Sequence, residues 1–246
     1  MAVPKFAKVA QCEKIQGGVR LINFVLCGPD PLGFAGGQYI IVNTGLELPG
    51  GKIVKRAYSI LSADSDQLRF AIAVKQVGSG PGSNFMHQLS VGQELPFSGP
   101  WGQFRPDSNT VQGPALIVAT DTGITAALGL AQGAAFAQAH PGSQLIWLVS
   151  TPDYFLPPEW AASRLKVRQT ALKVKTVLPA GDPARAQTLL RDWAEVFPIK
   201  LSGSVYLAGD GDLLYPLSSA FTARGCLEKD IKLECFFNNP FKKVAS

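Results

Sequence analysis

Lys55-Arg-Ala-Tyr-Ser-Ile-Leu-Ser62 has the composition of a β-strand, yet it sets an arginine, an aromatic ring and a hydroxyl within four residues. Alternation predicts Arg56, Tyr58 and Ile60 on one face and Ala57, Ser59 and Leu61 on the other. A cation beside a flat ring suits a ligand with an anionic part and a planar part. Alone, the stretch reads more simply as an edge strand with a solvated arginine and a barrel tyrosine. Its surroundings decide between the two.

Upstream and downstream of it, residues 1 to about 105 read as all-β. Runs rich in β-branched and aromatic residues occur at Lys8–Lys14, Val19–Leu26, Gln38–Val42, Lys55–Leu61, Leu68–Lys75 and Glu94–Phe97. Gly17-Gly18, Gly28-Pro29-Asp30-Pro31, Pro49-Gly50-Gly51 and Asp64-Ser65-Asp66 separate them as turns. Short strands at this spacing predict a closed antiparallel β-barrel of six strands, or a sandwich. The second half alternates instead. Strand candidates at Ala115–Ala119, Leu145–Val149, Lys173–Val177 and Val205–Leu207 are followed by helical patterns at Gly123–Gln138, Pro157–Arg164, Pro183–Val196 and Leu213–Ala223. A last strand is expected at Ile231–Glu234. Such alternation predicts an α/β doubly wound parallel sheet. The polar stretch Arg105–Pro114 is the natural joint, giving expected domains 1–108 and 109–246.

Composition excludes several classes. Hydrophobic residues make up 46% and charged residues 17%, the profile of a well-filled globular chain. A net charge of +5 without a lysine–arginine run gives no nucleic-acid footprint, but it suits an acidic partner or an anionic cofactor. Cys12, Cys27, Cys226 and Cys235 are scattered, and His87 and His140 are the two histidines, so no metal or iron–sulfur site is expected. Apolar runs are too short to span a bilayer and the first residues lack a signal-peptide core, so the expectation is a cytoplasmic protein with no membrane segment.

Two further stretches add to the first. Gly78-Ser-Gly-Pro-Gly-Ser-Asn-Phe-Met-His-Gln-Leu89 turns from a glycine-rich loop into a short helix with Ser83 and Asn84 at its entry. N–H groups at a helix start receive anions such as a pyrophosphate, although an ordinary capped turn has the same signature. Ser98-Gly-Pro-Trp-Gly-Gln-Phe104 follows.

The ordered set KRAYSI, FAIAVK, GPGSNFMHQL and VGQELPFSGPWGQF resembles the flavin domain of the ferredoxin–NADP reductase family, whose signature is Arg-x-Tyr-Ser/Thr, then Gly-x-x-Ser, then Gly-Pro-x-Gly. The similarity continues through LIVATDTGITAAL, VYLAGDGDLL and KLECFFN, and so covers nearly the whole chain. It implies a FAD-binding barrel, an NAD(P)-binding α/β domain, and electron transfer from NADPH or NADH through FAD. By this resemblance Arg56 binds flavin phosphate, Tyr58 packs on the isoalloxazine, and Ser59 bonds near flavin N5, with Ala57 between them. Ala73, Val74 and Lys75 would line the ribityl or adenine side, and Gly80, Gly82, Ser83 and Asn84 would hold the pyrophosphate. Ser59 requires a twist or a strand end to reach the ring that Tyr58 faces.

In the second half the resemblance assigns the nicotinamide nucleotide to Thr122, Gly123 and Gly209. Glu234 would balance proton and charge near N5, with Phe236, and Phe237 as a possible second ring, on the flavin's open face; the catalytic set is Ser59, Glu234 and Phe236. The tail after Phe237 is one that can cover the adenosine side. Two departures stand out: Asp121 replaces the family's first glycine, where a carboxylate opposes a pyrophosphate, and Ala208 replaces its cysteine. Arg185 is a candidate for a 2′-phosphate, with Asp182 close by arguing against it. No ferredoxin segment is recognised, so the expected acceptor is a separate ferredoxin, flavodoxin or oxygenase component. Asp121 keeps two alternatives open: a siderophore-interacting ferric reductase, which carries an acid in this turn, and a flavin-binding electron conduit that binds no nicotinamide.

Overall fold

The computed structural model describes residues 4–151, 154–166, 169–197 and 203–241. The first half folds as strands β1 (Lys5–Ile15), β2 (Val19–Leu26), β3 (Tyr39–Leu48), β4 (Lys52–Ser59), β5 (Arg69–Lys75) and β6 (Glu94–Trp101), with helix α1 (Pro81–Gln88) between the last two. They form an antiparallel sheet in the order β4-β3-β6-β1-β2-β5. The two edges meet just past β4, where the Leu61 N–H donates to the Ala71 carbonyl at 2.8 Å and the Ala71 N–H donates to Ser62 Oγ at 3.1 Å.

The second half holds strands β7 (Leu116–Thr120), β8 (Gln144–Val149), β9 (Ala171–Thr176), β10 (Val205–Asp210) and β11 (Ile231–Phe237). Its helices are α2 (Ile124–Gln132), α3 (Ala134–Ala139), α4 (Pro158–Lys166), α5 (Arg185–Arg191), α6 (Trp193–Val196) and α7 (Gly211–Ala223). All neighbours in this sheet are parallel, in the order β11-β10-β7-β8-β9. The strand order reverses between β7 and β10, and such a switch point opens a crevice at the carboxyl ends of the strands.

One strand shows how the sequence joins the two halves. In the β5 run Phe70-Ala-Ile-Ala-Val74, the large residues Phe70, Ile72 and Val74 fill the barrel core. The alternate, small residues Ala71 and Ala73 face outward and share a core with Ile124, Leu128 and Trp147 of the second half. Small side chains on that face let the second half approach closely. All nine residues of α2 are accordingly buried. Gly129 is the closest point: a Cβ there would fall 2.1 Å from the Ile60 carbonyl oxygen.

The predicted helix Gly123–Gln138 is two helices. Gly133 adopts an extended conformation between α2 and α3, against Gly36 of the barrel. Asp64 binds the Gly36 N–H with one oxygen (3.0 Å) and the Ala134 N–H with the other (2.9 Å), so a barrel loop caps the new helix. The helix expected over Pro183–Val196 likewise divides, at Asp192. Among the described residues no helix is long and apolar enough to cross a membrane, and no cluster could hold a metal ion.

Candidate functional site

A cleft of about 500 Å³ lies between the halves. The barrel contributes the run Arg56-Ala-Tyr-Ser59, then Ala73, Val74, Lys75 and the start of α1; the second half contributes Thr122, Thr125, Phe155 and the end of β11. β4 stops at Ser59, and Arg56 through Ser59 all border this one space despite their alternation.

Arg56 crosses the first turn of α1. A Cβ on Gly82 would meet Arg56 Cγ at 2.6 Å, so the helix start has glycine where the arginine stem lies. The guanidinium donates to the Lys55 carbonyl at 2.8 Å, and among the described residues it has no carboxylate partner. An unpaired guanidinium at a cleft is suited to an anion. Beside it, burial pushes the Tyr58 phenol up to about 12, against a smaller opposing effect of Arg56. Tyr58 is therefore a neutral ring at any physiological pH.

Helix α1 starts at Pro81 with Gly80 as its cap and no acidic residue in its first turn. Two side chains predicted to face an anion are used within the loop instead. Ser83 Oγ donates to the Gly80 carbonyl (3.0 Å) and accepts from the Val77 N–H (3.2 Å). Asn84 Oδ1 accepts from Gln76 Nε2 at 3.1 Å, and Asn84 does not border the cleft. What remains for an anion there is the backbone of the helix start, with Gly80, Gly82 and Ser83 on the cleft wall.

In the second half, Thr122 borders the cleft while Gly123 and Gly209 do not. Both glycines answer to close packing: a Cβ on Gly123 would fall 2.1 Å from the Ala208 carbonyl oxygen, and one on Gly209 2.2 Å from Thr120 Oγ1. Asp121, with φ of 44°, turns its carboxylate toward the end of β8. There it accepts from the Ser150 N–H and Ser150 Oγ, each at 3.0 Å, and from Arg185 Nη2 at 3.0 Å. Its charge is thus directed away from Thr122 and matched by a guanidinium. Arg185 is not a surface cation: it is 3% exposed, with Nη1 bonded to Asp210 and Nη2 to Asp121 and Ser150. Its expected role as a 2′-phosphate ligand is corrected by that burial.

At the end of β11, Gly209 pairs with Cys235 but Asp210 pairs with Phe237, so Phe236 is an extra residue in the ladder. A bulge of this kind re-aims a side chain. It puts Glu234, Cys235 and Phe236 together on the cleft, while Phe237 lies outside it. The sequence reading missed Tyr39, which pairs across the sheet with Ser59 and also lines the cleft. A Cβ on Gly102 would lie 3.1 Å from the Tyr39 ring and 3.6 Å from Glu234 Oε2, so ring and carboxylate flank one glycine. Burial, with the Glu234 charge adding to it, pushes the Tyr39 phenol above its ordinary value. The available signal was an aromatic residue at the head of the strand after Gly36-Gly37.

Residues 6–105 match the model of the oxidoreductase FAD-binding domain. Ferredoxin–NADP reductase B of Sorangium cellulosum (strain So ce56) is 40% identical over 124 residues, 50% of this chain and 49% of that protein. The chain is thus similar to an oxidoreductase FAD-binding domain over residues 6–105 and to a ferredoxin–NADP reductase over 50% of its length. NADH-cytochrome b5 reductase 1 of Cryptococcus neoformans (strain JEC21) is 36% identical over 120 residues, 48% of this chain and 39% of that one. The chain thus spans about half or less of the length of these curated relatives. The fold extends over more of the chain than the sequence identity does. A ferredoxin NADP+ reductase from Neisseria gonorrhoeae, solved with bound FAD and NADP, superposes with a TM-score of 0.76 at 17% identity, covering 96% of this chain and 100% of that one.

Proposed function

We propose that this protein is a flavin-dependent NAD(P)H oxidoreductase, in which residues 1–108 bind FAD, residues 109–246 bind the nicotinamide nucleotide, and electrons leave to a separate acceptor. The observation that carries the reading is the shared cleft: the Arg56–Ser59 run of the barrel, the Glu234–Phe236 end of the parallel sheet and Thr122 border one space. The residues fit a flavin dinucleotide. Arg56 supplies an uncompensated cation for its phosphates, the α1 backbone supplies N–H donors, and Tyr58 supplies a flat neutral face. Bound flavin contributes the exchange between two-electron transfer from a nicotinamide and one-electron transfer to a carrier.

The chain's own groups divide the remaining work. Ser59 and Tyr39, paired across β4 and β3, both border the cleft. The Glu234 carboxylate beside Tyr39 holds negative charge, or a proton at Oε2, next to the reacting region. Phe236, two residues on from Glu234, adds an apolar ring to the cleft wall. Relatives are named for both NADP and NADH. The net charge of +5 suits an acidic acceptor such as a ferredoxin, a flavodoxin or an oxygenase component.

The test is the absorbance spectrum of the purified protein, followed by anaerobic mixing with NADH and with NADPH. A yellow protein that releases FAD on denaturation and bleaches with either nucleotide is the expected result. A flavin-indifferent protein overturns the reading. A flavoprotein bleached by dithionite but by neither nucleotide would be an electron conduit.

A further inference from the structure

The carboxyl ends of β10, β7 and β8 meet at a single ion-paired cluster. Arg185, the first residue of α5, lies across them, bonded to Asp210 at the end of β10, to Asp121 after β7, and to Ser150 after β8. Asn238 Nδ2 joins Asp210 Oδ1 (2.9 Å) to Asp212 Oδ2 (3.0 Å). Three carboxylates against one guanidinium leave this edge formally negative. Neighbouring cations are engaged elsewhere. Lys173 donates to the carbonyls of Glu195 and Val196, Lys175 pairs with Glu195, and Arg191 pairs with Asp192.

Dinucleotide-binding domains place the adenosine ribose beyond the end of the strand that follows the first βα turn. An acid there receives the ribose hydroxyls of NAD, whereas an arginine receives the 2′-phosphate of NADP. Here that strand is β8, and the group at its end is the Asp121 carboxylate, held by the Ser150 N–H. The acid comes from the first turn rather than from β8, because the positive φ of Asp121 swings its side chain across. Asp121 stays 28% exposed, so one side of it faces solvent.

We propose that Asp121 is a specificity-determining residue that makes this protein select NADH over NADPH. The inference rests on the reading that a nicotinamide nucleotide binds this sheet edge and reduces a flavin in the cleft. A 2′-phosphate brings roughly −1.5 to −2 charges to a site of the same sign whose guanidinium is already bonded to Asp121 and Asp210. A ribose 2′-hydroxyl instead donates to the carboxylate.

Anaerobic stopped-flow reduction of the holoprotein by NADH and by NADPH tests this, with dithionite as a control. The rate constant divided by Kd should favour NADH by at least about tenfold, the like-charge penalty shrinking as salt rises. Asp121→Asn keeps an acceptor oxygen for Ser150 and removes the charge, so it should narrow that ratio about tenfold, mainly by improving NADPH. Equal or better reduction by NADPH in the natural protein overturns the preference by itself, whether or not the variant folds. A folded variant with an unchanged ratio removes Asp121 from the role. Bleaching by dithionite and by neither nucleotide overturns the NAD(P)H reading, and the preference with it.

Discussion

Gly82 lies beneath the Arg56 side chain so closely that a Cβ would fall 2.6 Å from Arg56 Cγ. The glycine at the start of α1 is therefore a seat for the arginine as well as part of a helix start. Gly82→Ala must displace the arginine stem, while its backbone φ lies outside the left-handed region. The expected outcome is a folded protein with weaker flavin binding. Arg56→Ala sets the upper limit: losing a hydrogen bond to a charged group is worth about 1.5–3 kcal/mol, or about ten- to a hundredfold in Kd. Flavin titration of both variants checks this, and unchanged affinity in Gly82→Ala would show that Arg56 does not act from this seat.

A second expectation concerns pH. His140 is buried, with Nδ1 2.8 Å from the Gly113 carbonyl and Nε2 3.0 Å from the Tyr206 hydroxyl. A carbonyl only accepts, so Nδ1 carries the proton and Nε2 accepts from the phenol. Burial lowers the His140 pKa from 6.5, the Gly113 bond opposing it. The unfolded chain thus takes up a proton below about pH 6.5 that the folded chain does not. Stability from this site is complete above that pH and falls as pH drops below it, by up to about 1.4 kcal/mol per unit. Denaturant unfolding between about pH 5 and 7 should show the slope, and His140→Gln should flatten it. An identical slope in the variant would assign it to other groups.

The barrel strands were legible from their β-rich runs between turn signals, and the parallel sheet from short apolar runs, buried on both faces, that alternate with helical patterns. In β5 the alternation of large and small residues even recorded which neighbour covered each face. The Arg56–Tyr58–Ser59 run was legible because its residues are adjacent. What the sequence concealed depends on distant partners. Tyr39 belongs to the cleft through its pairing with Ser59, which only strand register reveals. Arg185 is a solvated helix-start cation on paper, and becomes a buried one through Asp121 and Asp210. The break at Gly133 comes from Asp64 in the barrel, and the aim of Phe236 from one extra residue in the β11 ladder.

Asp121→Gly places in the turn the glycine of the ferredoxin–NADP reductases that the sequence resembles, yet the structure predicts a loss. The substitution removes the acceptor of the Ser150 N–H and one of the two carboxylates that hold the buried Arg185. Leaving buried donors unsatisfied costs about 1–3 kcal/mol. For a chain of this size that lowers Tm by about 2–4 °C per kcal/mol. Relief of pyrophosphate repulsion, the effect expected from sequence alone, has no source here because the carboxylate points to β8. Calorimetry of the variant checks this, and an unchanged Tm would mean that Arg185 finds another partner.

The contact between Gly129 and Ile60 yields the last prediction. α2 is packed between the parallel sheet and the barrel, and its closest approach is backbone to backbone: a Cβ on Gly129 would meet the Ile60 carbonyl oxygen at 2.1 Å. Alanine ordinarily favours a helix over glycine by about 1 kcal/mol, so an exposed site would gain stability. Here the carbonyl cannot yield as a flexible side chain does, because the Ile60 N–H is itself tied to the Gln38 carbonyl at 2.9 Å. Overpacking of this kind costs about 1–3 kcal/mol, and relief requires the two halves to shift apart. The same shift widens the cleft, since Tyr58 and Ser59 immediately precede Ile60, Thr122 leads into α2 and Thr125 lies in its first turn. Gly129→Ala should therefore lower Tm and weaken flavin binding together. The pairing of the two readouts is decisive: a lower Tm with natural flavin affinity would mean that strain at the interface is absorbed within α2 and never reaches the cleft.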